Sequence, residues 1–323
     1  MRPFEVLRWA TVLRALGVVF FLLSASVTST VLLQPGPASA ESRITRIDVY
    51  SPSMDRWVAN DVISPASGGP APTFFLLTGI GGGSDGISWF NNTGVRGFFA
   101  DKHVNVVMPI GGQYSMYTDW RSDDPVLGRN RWQTYLTQEL PAVINSRFGT
   151  TGVNAIGGVS MAGSAVLDLA VQAPGFYRAV GSYSGCAATS GVLGQTMVRS
   201  MVELRGGGNA ANMWGSVADP LWRAHDPMAN AERLRGTALF VSSGNGLPGP
   251  IDNHDPILVV PQTLGGSVVE MVTNVCAVAF QSRLHTLGIP ATFSYVSQGT
   301  HSWGLFETEL RDSWPVISEA IGA

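Results

Sequence analysis

The sequence predicts an α/β fold, a mostly parallel central sheet flanked by helices. Three observations predict it. Strand-type and helix-type segments alternate along the chain, the pattern of strand–crossover–strand units. Hydrophobic residues make up 45% of the 323 residues and charged residues 13%, enough apolar side chain for a large buried sheet. No internal repeat and no linker-like stretch interrupts the alternation, so residues 41–323 read as one domain.

The elements follow in order. Ile44 to Tyr50 and Asp55 to Ile63 read as an opening antiparallel pair. The apolar run Thr73-Phe-Phe-Leu-Leu77 is a buried strand, ended by the glycine-rich loop Thr78-Gly-Ile-Gly-Gly-Gly-Ser84. Val104 to Met108 is the next strand, stopped by Pro109 and Gly111-Gly112. Trp132 to Asn145 has helical apolar spacing and contains Glu139-Leu-Pro141. Val153 to Gly157 is a short strand running into Ser160, and Ala162 to Gln172 is a helix of small residues. Ala179 to Tyr183 is a strand, and Ala187 to Leu221 a long, weakly periodic connection, expected as a helical insertion over the active site. Thr237 to Ser243, Val268 to Leu287, Ala291 to Val296 and Gly304 to Ala320 complete the alternation as strand, helix, strand and helix.

Charge narrows the function classes. The net charge is −3, with no basic block and a single lysine, Lys102, which argues against nucleic acid as a partner. At the N-terminus, Arg2, Arg8 and Arg14 precede an apolar run from Ala15 to Leu33, then Pro35-Gly36-Pro37 and Ala38-Ser39-Ala40. This reads as a secretory signal peptide over residues 1–40, cleaved after Ala40, although the apolar run is nearly long enough for a retained anchor. The protein is therefore expected to be secreted or to sit in the cell envelope. Cys186 and Cys276 are the two cysteines, too few for a zinc site and without a CxxC motif. In an exported chain they predict one disulfide. No metal and no organic cofactor is implied.

The chemistry concentrates at Gly157-Gly-Val-Ser-Met-Ala-Gly163, between a strand and a helix. A sharp strand-to-helix turn exposes the serine hydroxyl in strained backbone geometry and tolerates only small neighbours, here Gly158 and Ala162. Ser160 is the candidate nucleophile. The strict G-x-S-x-G pattern is missed by one residue, because Ala162 takes the place of the second glycine. The loop Gly79 to Gly83 stands where this architecture supplies an oxyanion N–H, and no Gly-Lys-Ser/Thr follows that would make it a phosphate cradle. His301, within Gly299-Thr-His-Ser-Trp303, lies after the last strand and before the final helix, the place of the base in the order serine, acid, histidine. Three acids lie between them after the Thr237 to Ser243 strand: Asp252, Asp255 and Glu270. Spacing favours either aspartate, just past the Thr237 to Ser243 strand.

These residues carry a resemblance. Ile110-Gly-Gly-Gln113, Tyr117-Thr-Asp-Trp120, Glu139-Leu-Pro141, Gly158 to Gly163, Asn212-Met-Trp-Gly215, Asp219-Pro220, Gly244-Asn-Gly246 and Gly299 to Trp303 occur in one order over nearly all of the mature chain. In these stretches the chain resembles the actinobacterial mycolyltransferases, the antigen 85 family, and especially their corynemycolyltransferase relatives. The resemblance implies an α/β-hydrolase fold and transfer of a mycoloyl group from a trehalose ester to a hydroxyl acceptor at a cell-envelope lipid surface. That acceptor is a sugar, as in a trehalose ester or arabinogalactan, or a protein. It makes Ser160 the nucleophile, His301 the base and Glu270 the acid, placed ten residues before Phe280-Gln281. It makes Ile80 and Met161 the backbone oxyanion donors, and Asp119, Trp120 and Trp303 substrate contacts. One departure stands out: where trehalose-using members carry roughly Leu-Asp-Gly-Leu-Arg, this chain has Thr78 and Gly81 in the Asp and Arg positions. A secreted esterase, or a binding protein on the same fold, are the competing readings.

Overall fold

The computed structural model describes residues 43–252 and 265–323. Eight strands form one sheet: β1 Arg43–Ser51, β2 Arg56–Ser64, β3 Thr73–Leu77, β4 Asn105–Pro109, β5 Asn154–Val159, β6 Tyr177–Tyr183, β7 Ala238–Ser243 and β8 Thr292–Tyr295. Their spatial order is β1-β2-β4-β3-β5-β6-β7-β8. β1 and β2 pair antiparallel, as does β2 with β4, and every pairing from β4 through β3 to β8 is parallel. The expected opening hairpin and parallel sheet are both present.

The central strands are buried on both faces, so they read as unbroken apolar runs rather than alternating ones. Along β3, Phe75 and Leu77 join one core cluster while Phe74 and Leu76 join the other. That is the period of two expected of a strand covered on both sides.

Six helices matter to the site: α1 Leu140–Phe148, α2 Met161–Gln172, α3 Gly191–Arg199, α4 Ala210–Trp214, α5 Ser267–Thr286 and α6 Trp303–Ile321. Residues of α1, α2 and α5 share one cluster, and Leu305, Leu310 and Ile317 of α6 belong to the other. The helix expected over Trp132 to Asn145 is broken into an α-turn at Trp132–Thr134, a wide π-type turn at Tyr135–Glu139, and then α1. Pro141 has no N–H for an i−4 carbonyl, and the wide turn falls directly before it. Glu139 ties this turn to the β1–β2 hairpin, accepting from Ser51 Oγ at 2.5 Å and Ser53 N at 2.8 Å.

The insertion between β6 and β7 is helical, as expected. It contains α3, a wide turn at Ser200–Arg205, and α4. Val192 and Leu204 are exposed, which is why the apolar period is weak there. Residues 1–42, with the leader, lie outside the described residues, as do His254 and Asp255. No helix among the described residues is long and apolar enough to cross a membrane.

Candidate active site

Ser160 sits between β5 and α2 with φ +59° and ψ −122°, a conformation L-residues seldom adopt. Its N–H donates to Tyr183 O at 2.9 Å, which fixes the turn against β6. The small neighbours are needed: a Cβ at Gly158 would lie 2.7 Å from Ala162 O, and one at Gly163 would lie 2.8 Å from Tyr183 O. The near-miss of the five-residue pattern is thereby explained, because the close approach to β6 falls on Gly163.

Ser160 Oγ is 2.8 Å from His301 Nε2, and His301 Nδ1 is 2.7 Å from Glu270 Oε2. His301 lies in the loop between β8 and α6, with its ring edge-on to Phe306. Glu270, in the first turn of α5, is fully buried. Its Oε1 accepts from Ser184 Oγ at 2.8 Å and from the Gly244 N–H at 2.7 Å. A buried carboxylate is tolerable when its lone pairs are filled in this way. Ser160 thus meets two residues more than 100 positions further along the chain, at the C-terminal rim of the parallel strands.

Asp252, which spacing favours as the acid, lies elsewhere. Its Oδ1 accepts from Thr300 N and Thr300 Oγ1, both at 2.9 Å, and from Ser302 Oγ at 2.7 Å. Its Oδ2 accepts from Gly249 N at 2.9 Å. Asp252 therefore grips both chain neighbours of His301, while Glu270 faces the imidazole. Burial pushes the Asp252 carboxyl up, but hydrogen bonds from Ser302, Gly249 and Thr300 outweigh it and hold the group below the usual range.

Ile80 and the first residue of α2, Met161, flank the serine. Gly79 brings the glycine-rich loop close: a Cβ there would lie 3.3 Å from Ser160 Cβ. The Met161 N–H is among those at a helix start with no intrahelical partner. Trp303 lines a cavity of about 210 Å³ at Ser160, together with Thr78, Gly81, Asp85 and Arg205. Asp119 instead accepts from Thr134 N at 3.0 Å and Thr134 Oγ1 at 2.6 Å. Trp120 is buried, with its indole N–H on Ser115 O. The structure brings Trp303 to the serine and leaves Asp119 and Trp120 in the packing behind it. A second cavity, about 270 Å³, opens from Ser160 and His301 between Met197 and Met201 of the insertion and Val268, Val269 and Val272 of α5. Arg205 stands at the edge of both cavities.

Cys186 and Cys276 form a disulfide with Cα atoms 5.1 Å apart, joining the loop after β6 to α5. Sequence reasoning missed Ser184, Gly244 N–H and the grip of Asp252. Only Gly244 carried a signal, as part of the Gly244-Asn-Gly246 motif.

The fold and this arrangement define an esterase-like protein of the α/β-hydrolase fold, and residues 51–315 match the family model Esterase, described as "Putative esterase". The Diacylglycerol acyltransferase/mycolyltransferase Ag85A of Mycobacterium leprae is 32% identical over 326 residues, covering 97% of this chain and 93% of the relative. Ag85B of Mycolicibacterium smegmatis is 33% identical, covering 85% and 84%. The crystal structure of Mycobacterium tuberculosis MPT51 (FbpC1) superposes with a TM-score of 0.72 at 27% identity, covering 86% of this chain and 99% of that one. The chain belongs to this esterase family and, within it, to the group of the Ag85 acyltransferase/mycolyltransferases.

Proposed function

We propose that this chain is an exported, serine-dependent acyltransferase that moves a mycoloyl group from a trehalose ester to a hydroxyl acceptor. The observation that carries this reading is the hydrogen-bonded chain Ser160–His301–Glu270 opening onto two cavities, one of them walled by methionine and valine. The cavity walled by methionine and valine suits an acyl chain, and the other, mostly apolar but carrying Asp85 and Arg205 beside Trp303, suits the sugar or the acceptor.

In the first step His301, oriented by Glu270, takes the proton of Ser160 as Oγ attacks the ester carbonyl. Backbone N–H groups of Ile80 and Met161 hold the oxyanion, each such donor being worth roughly 3 kcal/mol. The imidazolium returns the proton to the departing trehalose oxygen. In the second step His301 deprotonates the acceptor hydroxyl, whose oxygen attacks the acyl-Ser160 ester; the acyl–Oγ bond breaks and the imidazolium returns the proton to Ser160 Oγ. Transfer outruns hydrolysis when the acceptor is held close and water is kept from the ester. Export accords with the leader-like N-terminus and with a disulfide, which persists in oxidising compartments.

Incubation with a mycoloyl trehalose donor, followed by mass spectrometry of the Ser160 peptide, tests the reading. A mycolate-sized adduct is expected, discharged faster by added hydroxyl acceptor than by buffer. No adduct at Ser160 overturns the nucleophile, and discharge indifferent to acceptor turns the enzyme into an esterase.

A further inference from the structure

Behind the acid lies a second carboxyl with no part in the mechanism above. Glu309, on α6, is fully buried. Its Oε2 and Oε1 lie 3.0 and 3.2 Å from Ser184 Oγ, the same hydroxyl that is 2.8 Å from Glu270 Oε1. Ser184 itself is pinned, at φ +48° with its N–H on Ser242 O at 2.9 Å. One hydroxyl thus stands between two buried carboxyl groups, and it has one proton to give. Two carboxylates there would leave one anion facing a lone pair and two like charges in a dry pocket.

We infer that Glu309 is a positioning residue: it keeps a proton, donates that O–H to Ser184 Oγ, and so directs the Ser184 proton onto Glu270 Oε1. The resulting chain runs Glu309 O–H to Ser184 Oγ, Ser184 O–H to Glu270 Oε1, and His301 Nδ1–H to Glu270 Oε2. Nothing is transferred along it; it sets the direction of each hydrogen bond and holds the carboxylate in place under His301.

The surroundings decide which acid keeps the proton. Glu270 has the Gly244 N–H and faces His301, whose charge appears during turnover. Glu309 is faced by Glu270 from α5, by Tyr183 from β6, by Ser242 from β7 and by Asp312 on its own helix. None of these is a cation, and no ion pair to Glu309 occurs among the described residues. Burial, and then the charge of Glu270, push its carboxyl well above the ordinary range. A carboxyl raised in the folded state contributes stability that is full below its ordinary range and is lost as pH climbs from there through the raised value. In alkaline solution Glu309 ionises, Ser184 is drawn to either of two anions, and Glu270 loses its fixed partner.

This inference rests on the catalytic reading of Ser160, His301 and Glu270, so the test has one arm independent of activity. In the infrared difference spectrum of wild type against Glu309→Gln at neutral pH, a protonated-carboxyl C=O stretch is expected that the variant lacks and that bleaches as pH rises. Absence of the band, or its survival in the variant, overturns the inference whatever the fate of the catalytic reading. In the second arm, hydrolysis of a chromogenic short-chain ester is followed against pH. Glu309→Ala is expected to lower kcat ~10-fold with KM unchanged, since Ser184 loses one well-placed donor. Glu309→Gln, whose amide can still donate, is expected to rescue most of that loss and to lack the alkaline decline of the wild type. Should Glu309→Ala not fold, Ser184→Ala carries the same expected kcat loss. Wild-type kcat in Glu309→Ala or Ser184→Ala, or superposed profiles for Glu309→Gln and wild type, overturn the inference. Turnover by Ser160→Ala overturns the catalytic reading instead.

Discussion

Asp252 Oδ1 accepts hydrogen bonds from both the backbone N–H and the hydroxyl of Thr300, the residue immediately before His301. With Ser302 Oγ on the same oxygen, one carboxylate holds the histidine loop from both sides. Asp252→Ala is expected to leave these donors buried without an acceptor, at a cost of about 1–3 kcal/mol each before relaxation. Turnover should fall ~10–100-fold, mostly in kcat, because the imidazole loses its fixed position. Stability should also become less sensitive to acid. The folded Asp252 carboxyl lies below its unfolded value, so its contribution is full above the ordinary carboxylate range and is lost as pH falls through the depressed one. Thermal melts of wild type and variant between neutral and acidic pH check the slope, and kcat checks the loop.

Ser160→Ala and His301→Gln are each expected to lower acyl transfer at least ~10³-fold, since groups that act as a unit fail together. The fold should survive, because the Ser160 side chain hydrogen-bonds His301 and belongs to neither core cluster. Steady-state transfer assays with circular dichroism decide it; near-normal turnover in either variant sinks the assignment.

The disulfide closes a span of 90 residues between the loop after β6 and the helix that bears Glu270. By chain entropy such a loop stabilises by up to about 4.6 kcal/mol, and native-state strain lowers the figure. Cys276 lies six residues along α5 from Glu270, so the bond also pins the helix close to the acid. Mild reduction, or paired Cys186→Ala and Cys276→Ala substitutions, should lower Tm and transfer activity together. Unchanged Tm after verified reduction would count against the structural role.

Free trehalose is expected to be a poor acceptor for this chain compared with an enzyme that carries the Asp and Arg at the positions of Thr78 and Gly81. Thr78 is buried, and the space a side chain at Gly81 would need is taken by Asp85, whose Oδ2 would lie 2.5 Å from the new Cβ. The cavity beside Trp303 therefore offers an aspartate where the resemblance leads one to look for an arginine. Conversion of trehalose monomycolate to dimycolate, measured beside a trehalose-using relative, checks this; equal rates would refute it.

Much of the architecture follows from local sequence alone. Runs such as Phe74-Phe-Leu-Leu77 are too apolar for an exposed strand, and their alternation with helical spacing leaves few ways to build a sheet other than a parallel one. The turn at Ser160 is also local, because it needs only a strand end, small neighbours and a helix start. His301 could be picked by its place after the last strand.

Which acid meets the imidazole could not be read in that way. Glu270 and Asp252 have the same residue chemistry and both follow β7, and spacing along the chain favours the aspartates. What separates them is which one meets the imidazole and which one meets the backbone beside it, and that depends on how α5 docks across β7. The same holds for Ser184 and Glu309: neither belongs to a motif, since each is an ordinary polar residue until β6, α5 and α6 converge. Sequence specifies elements through short-range periodicity and turn chemistry. The partners of a buried charge are set by packing between elements distant in the chain, where every lone pair removed from water must find a donor.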